Sequence, residues 1–389
     1  MSQNSSERVA WLLPAMGTGG ISFQHLLSEF SQVFPHTTTF TGQWPGYAPG
    51  LEDTFTVQEV GATRYIELGT MANGYAVGFS YASPQIIRYL LQFKPQVIFA
   101  NAFTAWTAIA LLLKPIGRWK VIITYEGGSS TYESPSASIR YRVRRVMAKL
   151  ADAFVVNGRT GKAYLLDVLQ VQPERVFARP FLVPSLKVLT HYDETEAPQL
   201  ANDLKRPIFL YVGQIIPRKG LKNLLAACML LKQKGYDNYT LMVVGDGEQR
   251  SELETFVCES GLEQQIHWVG KVSYRFLGAY FQFADVFVFP TYDDIWGMVL
   301  TEAMAFGKPV ICSTGAGAAE MVQEAENGFL YAPEEIEALA EKMRQFLNTP
   351  ELIAQMGERS HHIMQQHSPT EATQAFIEAT KRVQREKSW

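Results

Sequence analysis

Short β-rich runs alternate with longer helical patterns along the chain, and this alternation restricts the fold more than any other feature. Such runs occupy residues 8–14, 96–102, 120–126 and 153–158 in the first half, and residues 207–213, 239–245, 266–270, 286–290 and 309–313 in the second. Strands that alternate with helices form parallel sheets covered on both faces. A chain of 389 residues is too long for one ordinary core. We therefore predict an α/β protein with two doubly wound, Rossmann-like domains.

The composition of residues 186–206 predicts where the two domains separate. This segment is polar in its second part and shows neither a helical nor a strand period, as is typical of linkers. The predicted domains are then residues 1–185 and 207–367. Residues 368–389 open with Ser-Pro-Thr-Glu and continue with apolar positions at helical spacing, so we expect a terminal helix that can cross back onto the first domain.

The composition also bears on the compartment. The three cysteines lack the close spacing of a zinc site or redox pair, which favours a reducing cytosol. The first apolar run is too short for a secretory signal. The uncharged run at 97–113 is shorter than a spanning helix needs. We expect a cytoplasmic protein.

Two cations follow the first predicted strand of the second half. Arg218 and Lys219 lie in the turn between Gly213 and a helix that starts near Leu221. Ligands of open α/β sheets bind beyond the carboxyl ends of strands, and cations beside a helix amino terminus can hold a diphosphate. The alternative is a pair of solvated loop cations.

Two carboxylates eight residues apart give a second signal. Asp294 lies in a loop after the strand at 286–290, Gly297 permits a close approach, and Glu302 follows in a predicted helix. Glu302 either offsets the helix dipole or binds the vicinal hydroxyls of a ribose, while Asp294 can reach a second sugar. The helix amides that could bind a phosphate oxygen belong to Met298, Val299 and Leu300. Together these features predict a nucleotide-sugar site.

Gly17, Gly19 and Gly20 do not fit GxGxxG, which disfavours a dinucleotide dehydrogenase.

Five segments of the second half occur in a characteristic order: YVGQIIPRKG (211–220), VVGDGEQRSEL (243–253), VGKVSYRFLGAYFQFADVFVFPT (269–291), GMVLTEAMAFGKPVI (297–311) and NGFLY (327–331). With these segments the chain resembles the donor-binding domain of retaining family 4 glycosyltransferases. The first half resembles that family more loosely, through GTGGISFQHLL (17–27) and KLADAFVVNG (149–158). The resemblance implies the GT-B fold, in which two Rossmann-like domains face each other across a cleft.

The resemblance also implies roles for particular residues. Lys219, with Arg218 beside it, would hold the donor diphosphate, and Glu302 would bind the ribose. Asp294 stands at the family's first glutamate, which contacts the transferred sugar. The remaining implied donor contacts are the main chain of Val272, which would read the base, and Gly19 and Gly20, which would approach the phosphates.

Three positions depart from the family pattern. Asp294 is one methylene shorter than the family's glutamate. Gln214 stands where an arginine is common, which leaves Arg218 to supply the second positive charge. Glu126 stands where many members carry a histidine, and with Asp294 it is a candidate catalytic carboxylate.

The implied function is retaining transfer of a hexose, with glucose as the first candidate, from a UDP-sugar to a glycan acceptor. We expect a lipid-linked acceptor, a role in exopolysaccharide or envelope polysaccharide biosynthesis, no bound metal and no cofactor besides the donor. The alternative, suggested by Asp294 and Gln214, is a non-catalytic nucleotide-sugar-binding subunit of a glycan-synthesis complex.

A basic stretch at residues 138–154 bears on the acceptor side. Residues 1–185 contain 16 Lys and Arg but 11 Asp and Glu, and this stretch carries Arg140, Arg142, Arg144, Arg145 and Lys149 with apolar residues on another helix face. Such a helix can lie on an anionic membrane at the inner face, or it can be a solvated helix packed on a sheet. It is not expected to bind nucleic acid, because it lacks interleaved aromatic residues apart from Tyr141 and the protein is acidic overall.

Overall fold

The computed structural model describes residues 6–16, 21–48, 50–61, 64–70, 76–127, 139–184, 186–190 and 203–385. These residues form two compact units. The first contains the described residues up to Val183 together with those from His367 onward, and the second contains Pro184–Gln366.

The first unit is built on a parallel sheet of seven strands in the order β3-β2-β1-β6-β7-β8-β9. Its strands are β1 (Val9–Leu13), β2 (Thr37–Thr41), β3 (Thr56–Glu59), β6 (Val97–Asn101), β7 (Lys120–Tyr125), β8 (Ala153–Val156) and β9 (Val176–Ala178), and β4 (Arg64–Thr70) and β5 (Ala76–Tyr81) form a separate antiparallel pair. Its helices are α1 (Ile21–Val33), α2 (Ile86–Phe93), α3 (Ala105–Gly117), α4 (Ile139–Leu150), α5 (Arg159–Ala163) and, at the end of the chain, α13 (Pro369–Arg385).

The second unit is built on a parallel sheet of six strands in the order β12-β11-β10-β13-β14-β15. Its strands are β10 (Ile208–Val212), β11 (Thr240–Val244), β12 (Ile266–Gly270), β13 (Val286–Phe289), β14 (Val310–Ser313) and β15 (Gly328–Tyr331). Its helices are α6 (Leu186–Thr190), α7 (Leu221–Gln233), α8 (Arg250–Glu259), α9 (Leu277–Phe283), α10 (Met298–Ala305), α11 (Ile336–Asn348) and α12 (Glu351–Gln365).

The predicted α/β class with two parallel sheets is confirmed, and each of the nine predicted β-rich runs contains a strand. Two of the strands that were missed show why a polar or short run gives little signal. Strand β2 reads TTTFT, and its buried positions are mostly threonines, whose β-branched side chains suit a strand without giving an apolar signal. Strand β9 has only three residues, none of them buried.

The strand order of the second sheet reverses between β10 and β13, which pair in parallel with Leu210 opposite Phe287. This register brings Gly213, just after β10, and Pro290, just after β13, to the same edge of the sheet. In open α/β sheets a ligand crevice lies at such a reversal, beyond the carboxyl ends of the strands. The sheet topology therefore places the Arg218 and Asp294 loops next to each other.

The start of the predicted linker is structured. Helix α6 lies at residues 186–190, and its Val188 and Leu189 side chains are buried. The helix is too short to show a period in the sequence, and its burial depends on partners distant in the chain. No helix in the described ranges has the length and apolar character required to cross a bilayer.

Helix α13 completes the core of the first unit. Phe376 is fully buried, and its ring centroid lies 5.1 Å from that of Trp11 and 5.4 Å from that of Phe181. The apolar positions at 372, 375 and 379 of the same helix are also buried. The last helix in sequence therefore packs with the first strand of the chain.

Replacing Phe376 with alanine should lower the free energy of unfolding of the first unit by about 3–5 kcal/mol, because the aromatic cluster loses a large buried ring. Denaturant unfolding followed by tryptophan fluorescence measures this change, and Trp11, one of the seven tryptophans of the chain, contributes to the signal. Lys381→Ala, at an exposed position of the same helix, is the matched control and should change stability by less than about 0.5 kcal/mol. Equal stabilities of the two variants would contradict this account of α13.

Candidate functional site

The turn after β10 and the loop after β13 contact each other through their backbones. Gly220 ends the 3₁₀ turn Pro217–Lys219 with φ of 69°, and a Cβ at Gly220 would lie 2.0 Å from the Pro290 carbonyl oxygen. On the other loop, the Tyr292 amide donates to the Arg218 carbonyl at 2.8 Å. Only glycine fits at position 220, and this contact fixes the two loops relative to each other.

The predicted cations and the first predicted carboxylate meet in this contact. The Lys219 ammonium forms an ion pair with the Asp294 carboxylate, and Arg218 Nη1 lies 3.9 Å from Asp294 Oδ2. Arg218 Nη1 also donates to the Asp293 carbonyl at 2.7 Å. The side chains of Arg218 and Lys219 are only 12% and 15% exposed, so the alternative of two solvated loop cations is wrong.

The backbone around Asp294 is held by a second loop. The Asp294 amide donates to the Gly315 carbonyl at 3.0 Å, and the Gly317 amide donates to the Asp294 carbonyl at 2.9 Å. A Cβ at Gly315 would lie 2.2 Å from the Tyr292 carbonyl oxygen. The carboxylate of Asp294 therefore projects from a backbone that is fixed on both sides.

Helix α10 begins directly behind this loop. Its amino-terminal flank, Gly297, has φ of 97°, and a Cβ there would lie 2.5 Å from the Phe289 ring. Of the three amides predicted for phosphate binding, those of Met298 and Val299 stand at the start of the helix, whereas the Leu300 amide donates to the Gly297 carbonyl at 3.0 Å. The Leu300 amide is thus engaged within the turn.

Glu302 lies one turn into α10 and not in its first turn, so the interpretation that it offsets the helix dipole is wrong. Its side chain is buried, with 3% exposure. Oε1 of Glu302 accepts a hydrogen bond from the Tyr274 hydroxyl at 2.8 Å. Burial raises the pKa of Glu302 to about 7, although the bond from Tyr274 opposes this rise.

Tyr274 is the residue of this site that the sequence did not predict. It starts the 3₁₀ turn Tyr274–Phe276 after β12, two residues beyond the half-buried Val272. Its bond to Glu302 therefore connects the Val272 segment to α10. A separation of 28 residues in the chain gives no periodic signal, and only the fold brings the pair together.

The remaining predicted residues lie in the first half of the chain. Glu126 follows β7, is half-buried, and has a pKa raised by burial. Gly19 and Gly20 lie outside the described residues. In the described part of the chain, no group of three or more His, Cys, Asp or Glu side chains could hold a metal ion.

Comparison with known structures gives the class of fold. The crystal structure of Anabaena HepE in complex with UDP superposes with a TM-score of 0.75, at 16% identity, and the match covers 96% of this chain and 100% of that one. Together with the two parallel sheets, this likeness shows that the chain has the GT-B fold.

Two family models then match separate parts of the chain. Residues 39–180 match Glycosyltransferase Family 4, and residues 193–362 match Glycosyl transferases group 1. The first half of the chain thus matches a family 4 glycosyltransferase model, and the second half matches a group 1 glycosyl transferase model.

Curated relatives match over part of their length. A 2-deoxystreptamine glucosyltransferase of Streptomyces kanamyceticus is 30% identical over 201 residues, which is 51% of this chain and 49% of the relative. The capsular polysaccharide biosynthesis glycosyltransferase CapM of Staphylococcus aureus is 30% identical over 151 residues, 38% of each chain. The matches span about half or less of the length of the curated relatives.

The raised pKa of Glu302 predicts a stability difference that depends on pH. The protonated carboxyl stabilises the fold below its ordinary pKa of 4.5, and this stabilisation is lost as the pH rises through about 7. As the pH rises from 4.5 to about 7, the unfolding free energy of the wild type should therefore fall by up to roughly 3 kcal/mol relative to that of Glu302→Gln.

Denaturant unfolding of both proteins between about pH 5 and about pH 8 measures this difference. The control is the difference in unfolding free energy between the wild type and Glu263→Gln, at an exposed position of the second unit. It corrects for general effects of pH. A difference between wild type and Glu302→Gln that does not change with pH would show that Glu302 is not protonated on burial.

Proposed function

We propose that the protein is a retaining, metal-independent hexosyltransferase. It transfers a hexose, with glucose as the first candidate, from a UDP-sugar to a glycan acceptor. The observation that carries this proposal is the convergence of Arg218 and Lys219 on Asp294, one loop away from the buried Glu302. No cofactor besides the donor takes part.

The ion pair suggests how the donor enters the site. Asp294 neutralises Lys219 and lies near Arg218. A diphosphate brings its own negative charge to the two cations, and charge-assisted hydrogen bonds to them can replace those from the carboxylate. Asp294 is then released to accept hydrogen bonds from hydroxyls of the transferred sugar.

The nucleoside would occupy the adjoining part of the second unit. The ribose hydroxyls donate to Glu302, whose carboxylate is oriented by Tyr274, and the base is read by the main chain of Val272. Gly297 and the amides of Met298 and Val299 lie where a phosphate oxygen can approach the start of α10. Gly19 and Gly20, which lie outside the described residues, remain proposed donor-binding residues on the family resemblance alone.

Bond cleavage is assisted by electrostatics. As the bond between the sugar and the diphosphate breaks, negative charge grows on the departing phosphate oxygens, and Arg218 and Lys219 stabilise it from fixed positions. The departing oxygen accepts the proton of the attacking hydroxyl on the same face of the sugar, which retains the anomeric configuration. Asp294 positions the sugar, and Glu126 is proposed as a second catalytic carboxylate.

The biological role is inferred from the named relatives. A UDP complex of HepE, a glucosyltransferase and a capsular polysaccharide enzyme support a UDP-hexose donor and a role in exopolysaccharide or envelope polysaccharide biosynthesis. We propose a lipid-linked acceptor bound by the first unit, at the cytoplasmic face of a membrane that the protein contacts peripherally.

A non-catalytic nucleotide-sugar-binding subunit is the second candidate. It is favoured by the short carboxylate at position 294, which the structure ties to Lys219. The two candidates differ in the absence of acceptor, because an enzyme slowly hydrolyses its donor whereas a binding subunit returns it intact.

Binding of the donor should be visible in thermal unfolding. UDP and its matching UDP-sugar should raise the midpoint of the wild type, because a ligand that binds only the folded state stabilises it. The shift should vanish in Glu302→Ala, which lacks the ribose contact, and persist in Glu263→Ala, at an exposed position of the same unit. Absence of a shift with any nucleotide would contradict the proposed site.

Turnover tests the role of Lys219. Lys219→Met should lower the rate of donor hydrolysis or transfer roughly 10²–10³-fold, because it removes one fixed donor to the leaving group. Lys222→Met is the matched control, since Lys222 lies three residues further on and its side chain is 58% exposed. A wild type that returns UDP-sugar intact, yet binds it, would support the binding subunit instead.

A further inference from the structure

An apolar groove lies between α3 and α4 in the first unit. Its cavity volume is about 330 Å³, and it is lined mainly by Leu111, Leu112, Val143, Val146, Met147 and Leu150. Arg142 is the one charged residue of the lining within the described chain. Because the lining offers few hydrogen-bonding groups, the groove suits a hydrocarbon chain better than a peptide, whose backbone needs polar partners.

Several of these lining residues are themselves exposed, and Ile139 and Ile116 extend the apolar surface beyond the groove. Ile139, Val143, Val146 and Leu150 follow one another at intervals of four, three and four residues, which places them on one stripe of α4, and all four are exposed. On α3, Leu112 and Ile116 are 72% and 70% exposed. Contiguous exposed apolar surface of this kind marks a binding interface.

The opposite face of α4 explains why this stripe is not in the core. Arg144 Nη1 donates to the Tyr164 hydroxyl at 3.0 Å, Arg145 bonds to Gln170, and the Tyr141 hydroxyl donates to the Val168 carbonyl at 3.3 Å. Helix α4 thus packs on its own unit through two of its arginines and a tyrosine, and turns its apolar stripe outward. Arg144 and Arg145 are consequently not probes of a surface interaction.

The charge at the edge of the groove identifies the partner. Helices α3 and α4 contain no Asp or Glu, and Arg142 and Lys149 are exposed. The nearby carboxylate of Asp152 is already paired with Lys114 at 2.7 Å. Exposed cations beside protruding apolar side chains are complementary to an anionic bilayer, in which headgroups lie above acyl chains.

We propose that α3 and α4 form a membrane-docking surface, which inserts Leu112, Ile116 and the α4 stripe into an anionic bilayer and admits an acyl chain to the groove. The inference rests on the proposed membrane-side role. Flotation with vesicles, however, reports on lipid binding alone, so loss of flotation and loss of donor turnover are separate results.

Vesicles of equal parts phosphatidylglycerol and phosphatidylcholine should carry the full chain to the top of a density gradient, and vesicles of phosphatidylcholine alone should carry much less. Leu112→Ser/Val146→Ser should lower the bound fraction roughly tenfold at any salt concentration, because apolar insertion is lost. Arg142→Glu/Lys149→Glu should cause a comparable loss at low salt, and high salt should reduce the difference from wild type.

The matched controls replace exposed residues of the same unit outside this surface. Val33→Ser/Leu91→Ser and Arg88→Glu/Lys162→Glu should float as the wild type does. A wild type that stays at the bottom with anionic vesicles, or docking variants that float normally, would overturn the proposal. Equal losses in docking and control variants would show unspecific charge attraction and would overturn it as well.

A fluorescent label locates the contact. Cys258 is the exposed cysteine, and Cys228 and Cys312 are buried, so Val146→Cys in a Cys258→Ser background gives one accessible labelling site among the described residues. An environment-sensitive dye at position 146 should shift to the blue on adding anionic vesicles, and the same dye at Leu91→Cys should not. A shift at both positions, or at neither, would contradict insertion through α4.

Discussion

The contact between Gly220 and the Pro290 carbonyl is the constraint on which the candidate site depends. A side chain at position 220 would collide with that carbonyl, and the separation of the two loops would have to increase. Arg218 and Lys219 lie immediately before Gly220, and Asp294 follows Pro290 by four residues. Both loops start from paired strands. The close contact between their backbones therefore sets the distance between the two cations and the Asp294 carboxylate.

Burial makes the charges of this site depend on one another. Removing a charged side chain from water is costly unless a partner of opposite charge is present. Lys219 and Asp294 are such partners for each other. The buried Glu302 accepts a hydrogen bond from the neutral Tyr274 hydroxyl, and burial raises its pKa. Asp294 is therefore neutralised by a cation, whereas Glu302 tends to bind a proton. The sequence alone does not distinguish these two carboxylates.

Most of the fold and several site residues could be predicted from the sequence because their signals are local. Strands such as β10 and β13 are buried at every position, so they read as continuous apolar runs, and their ends marked the loops with Arg218 and Asp294. Tyr274 could not be predicted, because its role depends on a contact across 28 residues. The outward orientation of the α4 stripe was also not predictable, since the same periodicity describes a helix that buries its apolar face.

The resting ion pair has a consequence for donor selection. A ligand that binds Arg218 and Lys219 must compete with Asp294, so a single weak anion gains little net energy from displacing a carboxylate already in place. A diphosphate attached to a sugar can do more, because it supplies charge to both cations and hydroxyl donors to the released Asp294. On the proposed function, the shortened carboxylate at position 294 thus selects for the complete donor over its separated parts.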